Sequence, residues 1–364
     1  MTSGTQTIVL PVNELNPAVD VLQAQGFRLN RIFPADAPAT ADLSLDDVHI
    51  RLTIGVGDTS GVDVDTLDLE QLRRFASGTE SAASPIKIID AEQPTLMIPD
   101  GVQSLVVSRF DESGGFATGR VGMGYRDLIP DRYGGRFIAS HIRINDGGEL
   151  SDYVHHHSIR FQLIFCRAGW VKVVYEDQGP PFILEPGDCV LQPPGIRHRV
   201  LESSPGLEVV EVGCPAVHDT FVDHEITLPT GLTKPDRLFG GQLFVHHIAS
   251  EAEWMSGPWD GFEYQDTGIG AATNTVAGVR VLRPAAESTD DTVQTKPMTH
   301  NGEFMFRFVL SGSIQIDLEG EPSRCVLNGG DSIAIPAGMA YSLMSDDPDT
   351  RVLEVSTPEW PEIV

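Results

Sequence analysis

The sequence predicts a mainly β protein: two double-stranded β-helix (jelly-roll) barrels behind a small α+β module. Three observations carry this. Short strand-like runs bounded by Gly, Pro and Asp recur from Ile86 onward, the spacing of a sandwich or barrel. The set of runs occurs twice with matching turns. Phe165-Cys-Arg-Ala-Gly169 aligns with Phe308-Val-Leu-Ser-Gly312, and Pro186-Gly-Asp-Cys-Val-Leu-Gln-Pro-Pro-Gly195 with Gly329-Gly-Asp-Ser-Ile-Ala-Ile-Pro-Ala-Gly338. Finally, the first 54 residues read as strand, helix and three strands, an order that the remaining residues do not repeat. The expected boundaries are 1–82 for the module and its linker, 83–230 for the first barrel and 231–364 for the second.

In order, Gln6–Pro11 is a short apolar strand. Asn13–Gln25 carries Leu15, Val19, Val21 and Leu22 at near-helical spacing, with Gly26 as a stop. Phe27–Phe33, Ala39–Leu43 and Val48–Ile54 read as strands. This β-α-β-β-β order resembles one half-module of the glyoxalase/vicinal-oxygen-chelate family over about 50 residues. Two such modules normally close a metal cup, and no His/Glu ligand set is visible here. The module therefore reads as accessory, or as a dimerisation element. Gly55–Pro85 is a linker with one short helix at Thr66–Phe75.

In the first barrel the strands are Phe137–Ile144, Phe161–Phe165, Val171–Tyr175 and Cys189–Gln192. Pro215–Pro258 is irregular, with a helix expected at Ser250–Met255. In the second barrel the strands are Val279–Leu282, Phe304–Leu310, Ser313–Leu318, Asp331–Ile335 and Val352–Val355. Gly122–Arg136 is polar, Gly-rich and aromatic, and reads as a surface connection or a substrate loop.

Composition narrows the function classes. Apolar residues make up 41% of the 364, ordinary for a protein with a core. No apolar run approaches the roughly 20 residues of a membrane span. The N-terminal residues lack the charge and apolar stretch of a signal peptide, so the expected location is cytoplasmic. With 25 basic against 52 acidic residues the net charge is −27, which repels nucleic acid and anionic membranes. Cys166, Cys189, Cys214 and Cys325 show no CxxC spacing and read as buried thiols.

The chemistry concentrates in Tyr153-Val-His-His-His-Ser-Ile-Arg-Phe-Gln162. On a strand His155 and His157 point to one face and His156 to the other. The segment and the turn that ends at His198 match the two motifs of the cupin family. The first motif is His-x-His, four residues, Glu, six residues, Gly; here it reads His155-His-His157, Gln162, Gly169. The second is Gly, five residues, Pro-x-Gly, two residues, His; here it reads Gly187, Pro193-Pro-Gly195, His198. The chain thus resembles a bicupin over roughly residues 100–360. The resemblance implies a divalent metal held by His155, His157, Gln162 and His198, with Gln162 standing where the family usually has Glu. In the second repeat Met298, His300, Met305 and Tyr341 take the ligand positions. That is a poor set for a divalent ion, and a metal-free barrel is expected there.

Three imidazoles suit Fe, Ni, Co, Cu, Mn or Zn, with Fe(II) implied first by the resemblance. With Gln for Glu the donor set carries no charge, so the ion keeps its full charge and attracts an anionic chelating substrate. Four donors on a six-coordinate ion leave two positions open. The resemblance implies a non-haem Fe(II) dioxygenase acting on a small enolisable or phenolic substrate. A Lewis-acid isomerase or lyase and a non-catalytic binding protein are the alternatives. Tyr153 and His156 are candidate acid/base groups for the isomerase or lyase. Arg143, Arg160, Arg167 and Arg197 are candidates to hold a substrate carboxylate, Arg160 foremost because it shares the strand parity of Gln162. A homodimer is expected from the resemblance.

Overall fold

The computed structural model describes residues 6–34, 38–55, 61–79, 85–90, 95–111, 115–118, 123–285 and 292–363. The described chain divides into two compact units. The first comprises the described part of Met1–Met97 with Tyr153–Ser158 and Val217–Thr227. The second comprises Ile98–Asp152, Ile159–Ala216 and Leu228–Val364.

In the first unit, Gln6–Val12 buries Ile8, Leu10 and Val12 on one face, the period of two that a half-buried strand requires. The helix Leu15–Ala24 buries Leu15, Ala18, Val19 and Leu22 and stops before Gly26, whose φ of 98° ends it. This helix is the crossover that lets Gln6–Val12 run parallel to Val48–Ile54. Arg28–Phe33, Thr40–Leu45 and Val48–Ile54 complete an antiparallel meander. Thr220–Val222 then pairs with Arg28–Phe33 on one side and with His155–His157 on the other. The histidine strand is thus gripped residue by residue: His155 opposite Val222, His156 opposite Phe221, His157 opposite Thr220. Asp219 anchors that partner strand through Arg31 at 3.0 Å, and Arg31 also reaches Asp42 at 2.8 Å. The short helix of this unit runs Leu69–Ala76 behind an Asp68 cap. Residues 56–60 and 80–84 of the expected linker lie outside the described residues, as does Gly122 of the expected loop.

The second unit is built twice over from a large, seven-stranded sheet and a further group of strands outside it. In the first repeat the large sheet contains Ile138–Ile144, Leu207–Cys214, Phe161–Ala168 and Cys189–Leu191; outside it, Val171–Tyr175 pairs with Phe182–Leu184 and with His198–Ser203. In the second repeat the large sheet contains Gly278–Pro284, Arg351–Thr357, Phe304–Ser311 and Ser332–Ala334. There the four-stranded sheet holds Val293–Gln294, Tyr341–Ser345, Ser313–Leu318 and Arg324–Asn328. The two large sheets share one core. Phe161, Leu163 and Phe165 belong to it with Phe304, Phe306 and Phe308, and the Phe137 and Phe304 rings stack at 4.3 Å. Alternate residues face the other way, into each barrel: Ile142, Cys166 and Val209 in the first, where they meet Val171, Val173 and Tyr175, and Leu282, Val309 and Val352 in the second.

Two edge strands are exchanged across the repeats. Val106–Ser108 precedes the first barrel but pairs with Ser332–Ala334 of the second. Val245–His247 comes after the first barrel's strands yet extends its sheet beside Cys189–Leu191. The helix expected at Ser250–Met255 does not form. A single 3-10 turn, Ala249–Glu251, and a strand, Met255–Ser256, take its place. Six residues barely nucleate a helix, and the Asp188 carboxylate instead takes the Ala249 N–H at 2.9 Å. All four cysteines are buried and none is disulfide-bonded; burial pushes the Cys166 thiol up to about 12. Among the described residues no helix is long and apolar enough to cross a membrane.

Candidate metal centre

His155, His157 and His198 are buried, and each offers a ring nitrogen within 4.8 Å of the others. Each ring is oriented through Nδ1. His155 Nδ1 meets the Tyr153 carbonyl at 2.8 Å and His198 Nδ1 meets the Ile196 carbonyl at 3.0 Å. A carbonyl only accepts, so both rings carry their proton on Nδ1 and turn a lone pair outward at Nε2. His157 Nδ1 lies 2.9 Å from the Thr220 hydroxyl, on the residue directly opposite it in the ladder. Such partners fix the ring tautomer and aim of metal-binding imidazoles. Beneath His198 the Tyr175 ring stacks at 5.5 Å, and the Tyr175 hydroxyl accepts from Gln192 Nε2 at 2.8 Å.

Strand polarity places His198 at the head of His198–Ser203, just after the turn through Pro193-Pro-Gly195. Gly195 has φ 78°, a left-handed conformation that glycine adopts without strain. His198 lies opposite Tyr175, on the barrel-facing side. Gln162 shares its strand face with Ile164 and Cys166, and so also faces the interior of the first barrel.

The Gln162 amide is held one way round. Its Nε2 donates to Glu211 Oε1 at 2.6 Å. A carboxylate accepts and an amide oxygen cannot donate, so Oε1 must point away from Glu211. That Oε1 is buried and has no hydrogen-bond partner among the described residues. An unsatisfied buried carbonyl oxygen costs on the order of 1–3 kcal/mol. Three buried imidazoles and one orphaned amide oxygen are donors that fit a borderline divalent ion.

The other expected site residues stand elsewhere. His156 alternates away from its neighbours, and its ring stacks on Phe221 at 5.3 Å. Tyr153 sets its ring edge-on to His155 at 5.6 Å and packs against the apolar core of the first unit. Arg160 does not line the barrel. It precedes the strand Phe161–Ala168, so the parity argument fails, and its guanidinium reaches Glu303 at 3.2 Å. Arg143 and Arg167 both bind Glu208, and Arg197 binds Glu176 at 3.4 Å. All four candidate arginines are therefore in ion pairs.

Two neighbours of the site carried no expectation. Glu211 is an acid inside a buried strand, and the offset that relates Gly169 to Gly312 relates it to Glu354; that repeat could have marked it. His218 is buried with its ring 5.4 Å from His157. It sits in the irregular stretch after Pro215, where no pattern points to it. In the second barrel His300 spends both ring nitrogens on backbone: Nε2 donates to the Ile335 carbonyl at 2.9 Å, and Gly302 N–H donates to Nδ1 at 3.2 Å.

No known protein-family profile matches the chain, and no curated protein sequence does. Solved structures do match. A point mutant of Bacillus subtilis oxalate decarboxylase aligns over 85% of this chain and 88% of its own, with a TM-score of 0.50 and 12% identity. The chain has the bicupin fold. A deletion mutant of the same enzyme gives a TM-score of 0.50 at 13% identity over 85% and 88% of the two chains. The protein YlbA of E. coli gives 0.48 at 12% identity over 72% and 94%. At such identities the likeness concerns the bicupin fold, and the chemistry rests on the side chains of this chain.

Proposed function

We propose that the bicupin is a metal-dependent oxidoreductase, a non-haem Fe(II) dioxygenase acting on a small enolisable or phenolic substrate that chelates through oxygen. His155, His157, His198 and the Gln162 amide oxygen would hold the ion. The observation that carries this is the orphaned Gln162 Oε1, turned out of the Glu211 contact and buried without a partner. The ion would supply positive charge undiminished by its ligands, and two coordination positions for substrate and dioxygen.

The chain's own residues do the rest. Tyr153 O, Thr220 Oγ1 and Ile196 O hold the three imidazoles in place before anything binds. The walls of the first barrel are apolar, with Ile142, Val171, Val173 and Val209, which keeps bulk water from the reacting atoms. Because Arg143, Arg160, Arg167 and Arg197 are committed to glutamates, the charge of an anionic substrate is met by the ion rather than by a guanidinium clamp.

The runner-up reading is a Lewis-acid isomerase or lyase. One observation favours it: the Glu211 carboxylate faces the barrel interior, where a proton acceptor is needed. The two readings differ in dioxygen. Purified protein loaded with Fe(II) is expected to consume oxygen with a member of a panel of 1,3-diketones and catechols. Native zinc, with no oxygen uptake on iron loading, refutes the dioxygenase.

A further inference from the structure

The second barrel holds a different cluster where the first holds its histidines. Arg280, Glu354 and Arg307 lie directly opposite one another on three adjacent strands. All three point inward, on the strand faces that carry Leu282, Val352 and Val309. Each side chain is 1% exposed. Glu354 binds Arg307 Nη2 at 2.6 Å and Arg280 Nη1 at 3.5 Å. Arg280 is further held by the Glu359 carbonyl and lies 3.4 Å over the Trp360 ring. Arg307 Nη2 donates to the Tyr341 hydroxyl at 3.1 Å. Arg307 Nε and Nη1, and Arg280 Nε, have no partner among the described residues.

The charge count does not close. Two guanidinium groups stay charged at every pH a protein meets. Against them stands one carboxylate. His300 adds no charge, since its ring donates at Nε2 and accepts at Nδ1. Tyr341 is an ordinary phenol whose acidity burial weakens further. A fully buried, unbalanced cation is costly, and buried charges in proteins are paired. Nothing in the first barrel needs this balance: the residue equivalent to Arg307 is Ile164, and the one opposite Glu211 on the strand corresponding to Arg280's is Ser140.

We propose that the second bicupin barrel is a binding site for one small monovalent anion, of formate or chloride size, held by the unpartnered N–H groups of Arg307. The barrel is lined by packed apolar side chains, which excludes a large ligand. Met298 and Met305, at two of the positions that are ligands in the first repeat, are flexible enough to yield to such an ion. One guanidinium takes over the role of fixed positive charge that a metal plays in the first barrel.

The test uses full-length protein with formate or chloride as sodium salts, gluconate holding ionic strength constant. Wild type is expected to show a saturable rise in melting temperature, and Arg307→Met to lose it, its apparent affinity falling by about tenfold or more. The substitution leaves Arg280 and Glu354 as a balanced pair. The same titration on His198→Ala separates an anion bound to a metal in the first barrel. Saturation that survives His198→Ala and disappears in Arg307→Met supports the site; the opposite pattern, or equal slopes in all three proteins, overturns it. If Arg307→Met does not fold, chloride-35 line broadening by wild type and His198→Ala decides. Excess broadening in both, reversed by formate, supports the proposal; His198→Ala that shows neither broadening nor a saturable formate-dependent rise in melting temperature refutes it. Equal response to both anions defines a monatomic-sized site; response to formate alone defines a carboxylate site.

Discussion

Gln162 donates its amide to Glu211 across a 2.6 Å hydrogen bond, and this single contact decides which amide atom faces the barrel. Replacing Glu211 by Gln removes the decision, because an amide partner accepts and donates equally well. Glu211→Gln is expected to weaken metal binding by about 10–100-fold, the range seen when a partner behind a ligand is lost. Metal content after dialysis against graded chelator checks it. Retention equal to wild type would show that Gln162 is not a ligand.

The alternation of the histidine strand makes a second, sharper contrast. His155→Phe and His198→Ala each delete one imidazole of the group and are expected to abolish stoichiometric metal. His156→Phe leaves the ring stacked on Phe221 and is expected to keep it. Elemental analysis of the three variants reads the outcome directly. Loss in all three would mean the strand is held in the other register.

Glu208 sets a pH limit on the bicupin core. Burial alone would lift its carboxyl. Hydrogen bonds from His141 and Arg143, with the charge of Arg167, outweigh burial and hold the group well below the usual carboxylate range. Burial lowers the His141 pKa and favours the neutral ring at neutral pH; the guanidinium of Arg126, which can only donate, faces its Nδ1 at 3.4 Å, so Nε2 carries the proton towards Glu208. The sign follows from the depressed folded value. The stabilisation is fully present above the ordinary glutamate range and is lost as pH falls through that range towards the folded value. Glu208→Gln should cost about 3 kcal/mol at neutral pH, the cost of stranding buried partners. Its stability should then fall less steeply below about pH 4 than that of wild type. Urea titrations at several pH values test both.

Motif spacing reveals the histidines and the turn at His198, and the repeat reveals the second barrel, because inward ligands and tight turns leave fixed offsets. What stays hidden has physical causes. Glu211 lies in Leu207–Cys214, a strand buried on both faces, where polar and apolar positions do not alternate. Val106–Ser108 and Val245–His247 are three-residue edge strands whose partners lie in the opposite repeat, and so short a run has no period to read. Arg160 has the right parity but stands outside the strand that would give parity its meaning. Glu354 repeats Glu211, yet only the ladder shows that its neighbours are arginines.

Phe304 offers a test of whether the two barrels unfold as one. Its ring stacks on Phe137 at 4.3 Å and meets Tyr133 edge-on at 5.7 Å, joining the large sheet of one repeat to residues of the other. Phe304→Ala removes a fully buried ring from that shared core and is expected to cost about 3–5 kcal/mol. The proposed metal ligands belong to other strands, so metal stoichiometry should survive in the folded variant. Because the loss falls on the contact between repeats, the single thermal transition expected of wild type should split or broaden. A calorimetric enthalpy equal to the van't Hoff value in wild type, but exceeding it in the variant, would show the coupling. Equal values in both would mean the shared core is not what couples the barrels.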